Sequence, residues 1–149
     1  MANLTGSSTA EIDAPIDQVW EVVADVESAP DWQGGLDGLY ALERDKQRRA
    51  TLCETESDIK VRKVKSEVRF SYDGPTRLSW RQEKGELKSV DGSWELEDLG
   101  EDRTRATYAI EVDLGRMLGM IVRGPIEGVI REMLVGARAG ELKKRMEHG

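Results

Sequence analysis

The chain has 149 residues, 29 acidic against 22 basic side chains and a net charge of −7, a length at which one domain can bury a core and, if its sheet is curved, a ligand as well. Acidic and basic residues are interspersed, so no basic face is available to neutralise phosphates, and nucleic acid is excluded as a partner. The only cysteine, Cys53, has no internal disulfide partner, no charged-then-apolar leader precedes the first strand, and no apolar run approaches the ~20 residues of a membrane span. A single cytoplasmic domain over residues 1–149 is expected, with any membrane contact peripheral.

Ser8, Ala10 and Ile12 alternate with Thr9, Glu11 and Asp13, the period of a strand with one buried face. At Ala14-Pro15 the period changes. Proline takes the first helical position, Asp17 lies in the first turn where the helix dipole favours an anion, and Ile16, Val19, Trp20, Val23 and Val26 recur at helical spacing. This predicts an amphipathic helix over 15–26 that ends before Pro30, followed by a turn or loop at Asp31-Trp32-Gln33-Gly34-Gly35.

Strand signals fill the middle of the chain. Segments 36–43 and 49–56 are the weaker ones; 60–72 is longer and closes at Asp73-Gly74-Pro75. Val64, Val68, Phe70 and Tyr72 hold one phase while Ile59 and Val61 hold the other, which requires a bulge or a turn near Arg62. Leu78, Trp80 and Gln82 share a face, a turn follows around Lys84-Gly85, and Val90, Gly92, Trp94 and Leu96 share the next face. Gly100-Glu101-Asp102 then turns into the strongest alternation, with Ala106, Tyr108, Ile110, Val112 and Leu114 on one side.

The end of the chain is helical, 125–146. On a single wheel of ~100° per residue, Ile126, Val129, Ile130, Met133 and Ala137 share one face and Val135, Ala139, Leu142 and Met146 fall opposite. Both faces of its middle therefore need cover, one from the sheet and the other from elsewhere in the fold or from a second subunit, so monomer and homodimer both remain open. Gly124-Pro125 either opens this helix or kinks one that starts near Met117. Gly128, Gly136 and Gly140 each cost about 1 kcal/mol of helix propensity, which implies close packing or space for something else. A strand, a short helix, a run of antiparallel strands and a long helix describe an α+β fold in which a sheet curls around one helix and leaves a cavity.

Glu11-Ile12-Asp13-Ala14-Pro15-Ile16-Asp17-Gln18-Val19-Trp20, Pro30-Asp31-Trp32, Leu78-Ser79-Trp80, Leu87-Lys88-Ser89-Val90-Asp91-Gly92-Ser93-Trp94, the stretch 104–112 and Leu142-Lys143-Lys144-Arg145 resemble the polyketide cyclase/dehydrase and lipid-transport family. That family belongs to the START and Bet v 1-like (SRPBCC) superfamily, and the resemblance covers nearly the whole chain. It implies the helix-grip fold, a curved antiparallel sheet of about six or seven strands wrapped around a long C-terminal helix, with short helices after the first strand. It also implies a hydrophobic small-molecule ligand, such as a lipid, an isoprenoid or quinone, or a polyketide-like compound, held in an internal cavity. Two alternatives come with it: a cyclase/dehydratase-type enzyme, and a protein-interaction module of the ribosome-associated toxin type.

One departure from the family lies in Glu54-Thr55-Glu56-Ser57-Asp58 and Lys60-Val61-Arg62-Lys63, which are polar where relatives are more apolar. Glu54 and Glu56 share a phase with Leu52. With that phase inward, two carboxylates line the cavity; with Thr51, Cys53 and Thr55 inward, the glutamates are a solvated edge. The second arrangement is favoured, because an unpaired buried carboxylate costs several kcal/mol.

The catalytic inventory is poor. The single histidine, His148, stands next to the C-terminus. Cys53 has no Cys or His neighbour at metal-ligand spacing, and Glu54, Glu56 and Asp58 lack an EF-hand glycine pattern. No phosphate loop, nucleophile elbow or dinucleotide fingerprint occurs. No metal, no cofactor and no catalytic residue is assigned, Tyr108 being the one candidate general acid should the protein be a cyclase. Trp80, Trp94 and Tyr108, in phase on successive strands, are expected to line the concave face with Val68, Phe70 and Ile110, facing Ile130, Met133 and Ala137 from the helix. Trp32 either caps the mouth of the cavity or packs under its loop. The Met117-Leu118-Gly119-Met120-Ile121-Val122 segment is a lid or portal, with Met117 and Met120 touching the ligand, or it is buried against the first helix. Arg116 and Arg123 flank it, and either meet an anionic headgroup or stay solvated.

Overall fold

The computed structural model describes residues 3–148, without the side chains of Asn3 and His148. Seven strands, β1 (Asn3–Ile12), β2 (Leu36–Arg44), β3 (Ala50–Asp58), β4 (Lys63–Asp73), β5 (Arg77–Gly85), β6 (Ser89–Gly100) and β7 (Arg103–Asp113), form an antiparallel sheet in the order β1-β7-β6-β5-β4-β3-β2. Hairpins link β2 through β7 in sequence, and β1 closes onto β7 in unbroken register from Asn3 opposite Asp113 to Ile12 opposite Thr104. The connection from β1 to β2 carries α1 (Ile16–Ala24) and a 3₁₀ helix (Val26–Asp31). After β7 come α2 (Gly115–Ile121), α3 (Pro125–Arg131), a π turn (Glu132–Gly136) and α4 (Arg138–His148).

From β4 to β7 the strand phases run as the alternation predicts, because each strand has one face against the core. Bulges between β2 and β3 interrupt it there, so that Gly38 and Leu39, and Leu52 and Cys53, are buried side by side. Of the two alternatives at Arg62 the structure takes the turn, and two boundaries need correction. The phase break near Arg62 is a turn, with Ile59 N–H donating to Arg62 O at 3.1 Å and Lys60 at φ +75°. The reversal after β5 falls on 86–88 and not on Lys84-Gly85, because Gly85 still pairs with Ser66 and Glu86 N–H reaches Lys65 O. The first helix stops at Ala24; Val26 and Ala29 are buried by the 3₁₀ helix instead, which tolerates Pro30 within it.

The terminal helix is not one regular rod. Gly124 turns the chain at φ +65° and Pro125 opens α3 in its first turn, so α2 is a separate helix. At the π turn, Ala137 N–H donates to Glu132 O at 2.8 Å, a bond across five residues instead of four. The added residue advances the chain by fewer degrees per position than an α-helix does, so Val135, Ala139 and Leu142 come onto the same side as Ile130; all four are at most 3% exposed. One buried face replaces the two opposite faces of the uniform wheel. Ser8 Oγ on β1 accepts from Ala139 N–H at 3.0 Å and satisfies a donor in the first turn of α4.

The core is divided. One cluster gathers Trp20, Val23, Phe70, Leu78, Trp94, Tyr108, Val135 and Leu142 around α1 and α4. The other gathers Leu4, Ile59, Val64, Val90, Val112, Leu118, Val122 and Ile130 around α2 and α3. Trp80, Ile110 and Leu134 pack against both.

Trp80 holds its bridging place through Gly92. The two residues are direct cross-strand partners, and a Cβ built on Gly92 would lie 2.4 Å from Trp80 Cε2. Gly92→Ala should therefore displace the indole and destabilise the fold by about 1–3 kcal/mol. Urea unfolding followed by tryptophan fluorescence measures both effects, and unchanged stability with an unchanged emission maximum would contradict the packing described.

Candidate ligand cavity

Between the two clusters lies a cavity of about 140 Å³. Its sheet wall is aromatic. Ring centroids are 6.0 Å apart for Phe70 and Trp80, 5.6 Å for Trp80 and Tyr108, and 5.0 Å for Trp94 and Tyr108. Val68, Leu78, Ile110 and Val112 extend this wall, the 3₁₀ helix contributes Val26 and Ala29, and the terminal helix contributes Leu134, Val135 and Arg138. The volume is far above the ~10–15 Å³ that holds one water and close to the ~150 Å³ known to accept a benzene ring in another protein.

Of the residues expected to line it, Val68, Phe70, Trp80, Trp94, Tyr108 and Ile110 are among its walls. The helix side differs from expectation, because the π turn rotates the chain. Ile130 sits wholly buried in the second cluster, Met133 turns toward Gly35, and Ala137 is off the cavity wall, while Leu134, Val135 and Arg138 face inward. Trp32 is also off the wall; it packs on Trp94 at 6.2 Å beneath its loop. Met117 and Met120 are 75% and 62% exposed, since α2 buries only Leu118, in series with Leu114 and Val122 at spacing four. Of that segment's surroundings only Leu114 reaches the cavity. In β3, Thr55 and Ser57 face the cavity and Glu54 and Glu56 do not.

Arg138 is the polar residue that sequence reasoning missed. It is 3% exposed and spans from the cavity wall to the loop after the 3₁₀ helix. Its Nη1 donates to Gly34 O at 3.0 Å and to Glu141 Oε1 at 2.7 Å, while Glu141 Oε2 accepts from Gly34 N–H at 2.8 Å. The Gly34 peptide is thus held at both ends by one ion pair. The guanidinium carbon also lies 5.5 Å from the centre of the Tyr108 ring, within cation–π range. The available signal was an arginine set between Ala137 and Ala139 in the most apolar stretch of the helix.

Among the other polar wall residues, Ser66 and Thr55 are already engaged. Ser66 Oγ donates to Gln82 Oε1 at 2.8 Å, Gln82 Nε2 donates to Leu87 O at 2.8 Å, and Thr55 Oγ1 reaches Ser66 O at 3.4 Å. Burial pushes the Tyr108 phenol above its ordinary pKa, against the partial opposing effect of Arg138. Among the described residues no group of three or more metal-ligating side chains occurs, and no helix is long and apolar enough to cross a membrane. The side chain of His148 lies outside the described residues.

A seven-stranded antiparallel sheet curved around a terminal helix, with a cavity between them, is the helix-grip architecture of START and Bet v 1-like proteins. The chain belongs to the polyketide cyclase / dehydrase and lipid transport family, whose model matches residues 12–136. Similar solved structures include a START superfamily protein from Mycobacterium smegmatis, at TM-score 0.81 and 19% identity over 97% of both chains. The Zhui aromatase/cyclase from Streptomyces sp. R1128 follows at TM-score 0.80 and 19% identity, over 98% of this chain and 94% of that one. A protein of Thermus thermophilus superposes with TM-score 0.76 and 18% identity, over 97% and 99% of the two chains. Among curated protein sequences none matches the chain.

Cys53 is buried in the first cluster, and burial pushes its thiol up to about 11. The folded chain then keeps a proton that the unfolded chain, with an ordinary thiol near 9, releases first. Stability should fall as pH rises from 9 toward 11, and less steeply in Cys53→Ala. At pH 8 the native thiol should resist a thiol-specific reagent until denaturant is added; rapid labelling of folded protein would show that the thiol is accessible.

Proposed function

We propose that this protein binds a small hydrophobic molecule in the internal cavity and carries it unchanged. The observation that supports this reading is the composition of the cavity wall: aromatic and aliphatic on nearly all sides, with Arg138 as its one charged residue. Apolar walls with few placed polar groups are the usual makeup of a small-molecule site. No aspartate, glutamate, histidine, lysine or cysteine is among the described wall residues, so nothing on the wall can take a proton at neutral pH.

Burial also disfavours Tyr108 as a proton donor, since the phenol is pushed up and not toward neutrality. A cyclase-type reaction is the second reading. It draws on the nearness of the Tyr108 ring to Arg138, where two donors converge, and on the structural likeness to the Zhui aromatase/cyclase. On that reading the pair would stabilise a developing oxyanion, and the base would have to come with the substrate or from water.

Leu134→Trp tests the carrier reading. Leu134 packs against both clusters and lines the cavity, so a larger side chain occupies the space a ligand would use, and overpacking there relieves a void. Uptake of a small apolar fluorescent probe should be lost with the circular dichroism spectrum retained. Equal uptake by the variant would place the probe elsewhere and count against the cavity.

Tyr108→Phe separates the two readings. In a carrier it should change probe affinity by about one net hydrogen bond, ~0.5–1.5 kcal/mol at most. In a cyclase using the hydroxyl, turnover of a poly-β-keto substrate should fall on the order of 100-fold with binding preserved. The second result would give the enzyme reading first place.

A further inference from the structure

The described residues contain two buried side-chain nitrogens without a hydrogen-bond partner, Trp32 Nε1 and Arg138 Nε. Only Arg138 is on the cavity wall. An unpaired buried donor costs about 1–3 kcal/mol, and more when it carries charge. Arginine stays protonated under all ordinary conditions. Both hydrogen bonds of this guanidinium leave from Nη1, toward Gly34 O and Glu141 Oε1, so the Nε edge is the side left without an acceptor.

Resting on the cavity-binding reading above, we propose that the ligand is a single-ring, uncharged molecule bearing an oxygen acceptor, a ketone or comparable carbonyl, which accepts from Arg138 Nε. Three observations select this class. The volume of about 140 Å³ admits one ring and not a fused polycycle. The unpartnered atom is a donor, so its partner must be an acceptor. The charge on Arg138 is already balanced by Glu141, 2.7 Å away and with a side chain only 21% exposed. A ligand carboxylate would leave a second anion unpaired in an apolar enclosure, a cost of several kcal/mol that a neutral carbonyl avoids. The ring itself would lie against the Trp80, Trp94 and Tyr108 faces, where stacking is tolerant of ring type.

Three probes of one ring size test this on the intact protein: toluene, acetophenone and benzoate, titrated by isothermal calorimetry and by quenching of tryptophan fluorescence. Wild type should bind acetophenone about tenfold more tightly than toluene, and benzoate more weakly than acetophenone. In Arg138→Met the preference of acetophenone over toluene should disappear while toluene still binds. The wild-type ranking stands by itself should Arg138→Met fail to fold. Equal binding of toluene and acetophenone by wild type would overturn the acceptor inference and leave cavity binding intact. Benzoate binding best would overturn the requirement for a neutral ligand. Failure of all three, with the cavity also unresponsive to the apolar fluorescent probe, would overturn the cavity reading itself.

Discussion

One helical segment has to cover the concave face of seven strands. Seven strands at about 4.8 Å spacing span roughly 29 Å, whereas a helix with its side chains is about 10–12 Å across. Curling the sheet narrows the gap without closing it. α1 with the 3₁₀ helix fills one end and α2 fills the other, and each gathers its own buried cluster. Between them, among the described residues, only Trp80, Ile110 and Leu134 touch both clusters, and the remaining space is the cavity. The cavity is therefore a consequence of the width mismatch, not of any residue that excludes packing.

The π turn decides which residues meet that space. A regular helix through 125–146 would set Ile130 and Val135 on different sides, and one of them would face solvent. By adding a residue to one turn, the chain buries both, and Arg138 follows onto the cavity wall. A guanidinium in this position is weak evidence for added stability, because its desolvation offsets much of its attraction to Glu141. Its effect is positional: the ion pair fixes the Gly34 peptide, and with it the loop between the 3₁₀ helix and β2, against α4. Gly35 at φ +81° lets the loop approach Leu134 and Met133 closely enough for those bonds to form.

How far the sequence disclosed this structure follows from the regularity of each element. Period-two alternation survives from β4 to β7, so the inward phase of Val68, Phe70, Trp80, Trp94, Tyr108 and Ile110 was legible, whereas the bulges between β2 and β3 move the buried phase from Leu52 to Cys53. A turn that falls one or two residues later than expected, as after β5, leaves that phase untouched. The helical side was not legible, since a wheel of fixed pitch misassigns every residue beyond a π turn, and nothing in Glu132-Met133-Leu134-Val135-Gly136 announces one. Met117 and Met120 were misplaced for a related reason. α2 is only two turns long and packs through the Leu114, Leu118 and Val122 series, which leaves its methionines outside. Arg138 was missed because charge ordinarily argues for solvent, a rule that fails where a partner such as Glu141 sits one turn away.

The same residue bears on the choice between carrying a molecule and transforming it. A catalytic site places groups of complementary proton affinity on opposite sides of a reacting atom. Here the Tyr108 phenol and the Arg138 guanidinium, whose carbon lies 5.5 Å from the Tyr108 ring centre, are both proton-rich at neutral pH: burial holds the first protonated and chemistry holds the second. Two donors side by side can orient a carbonyl and stabilise negative charge upon it, yet neither can start a reaction by removing a proton. The family's description spans both cyclases and lipid transport, so the site and not the fold has to separate them. A carboxylate on the β3 strand turned inward, at Thr55 or Ser57 and not at the outward Glu54 and Glu56, would supply the missing base. In this chain those inward positions carry hydroxyls, which take up no proton at neutral pH.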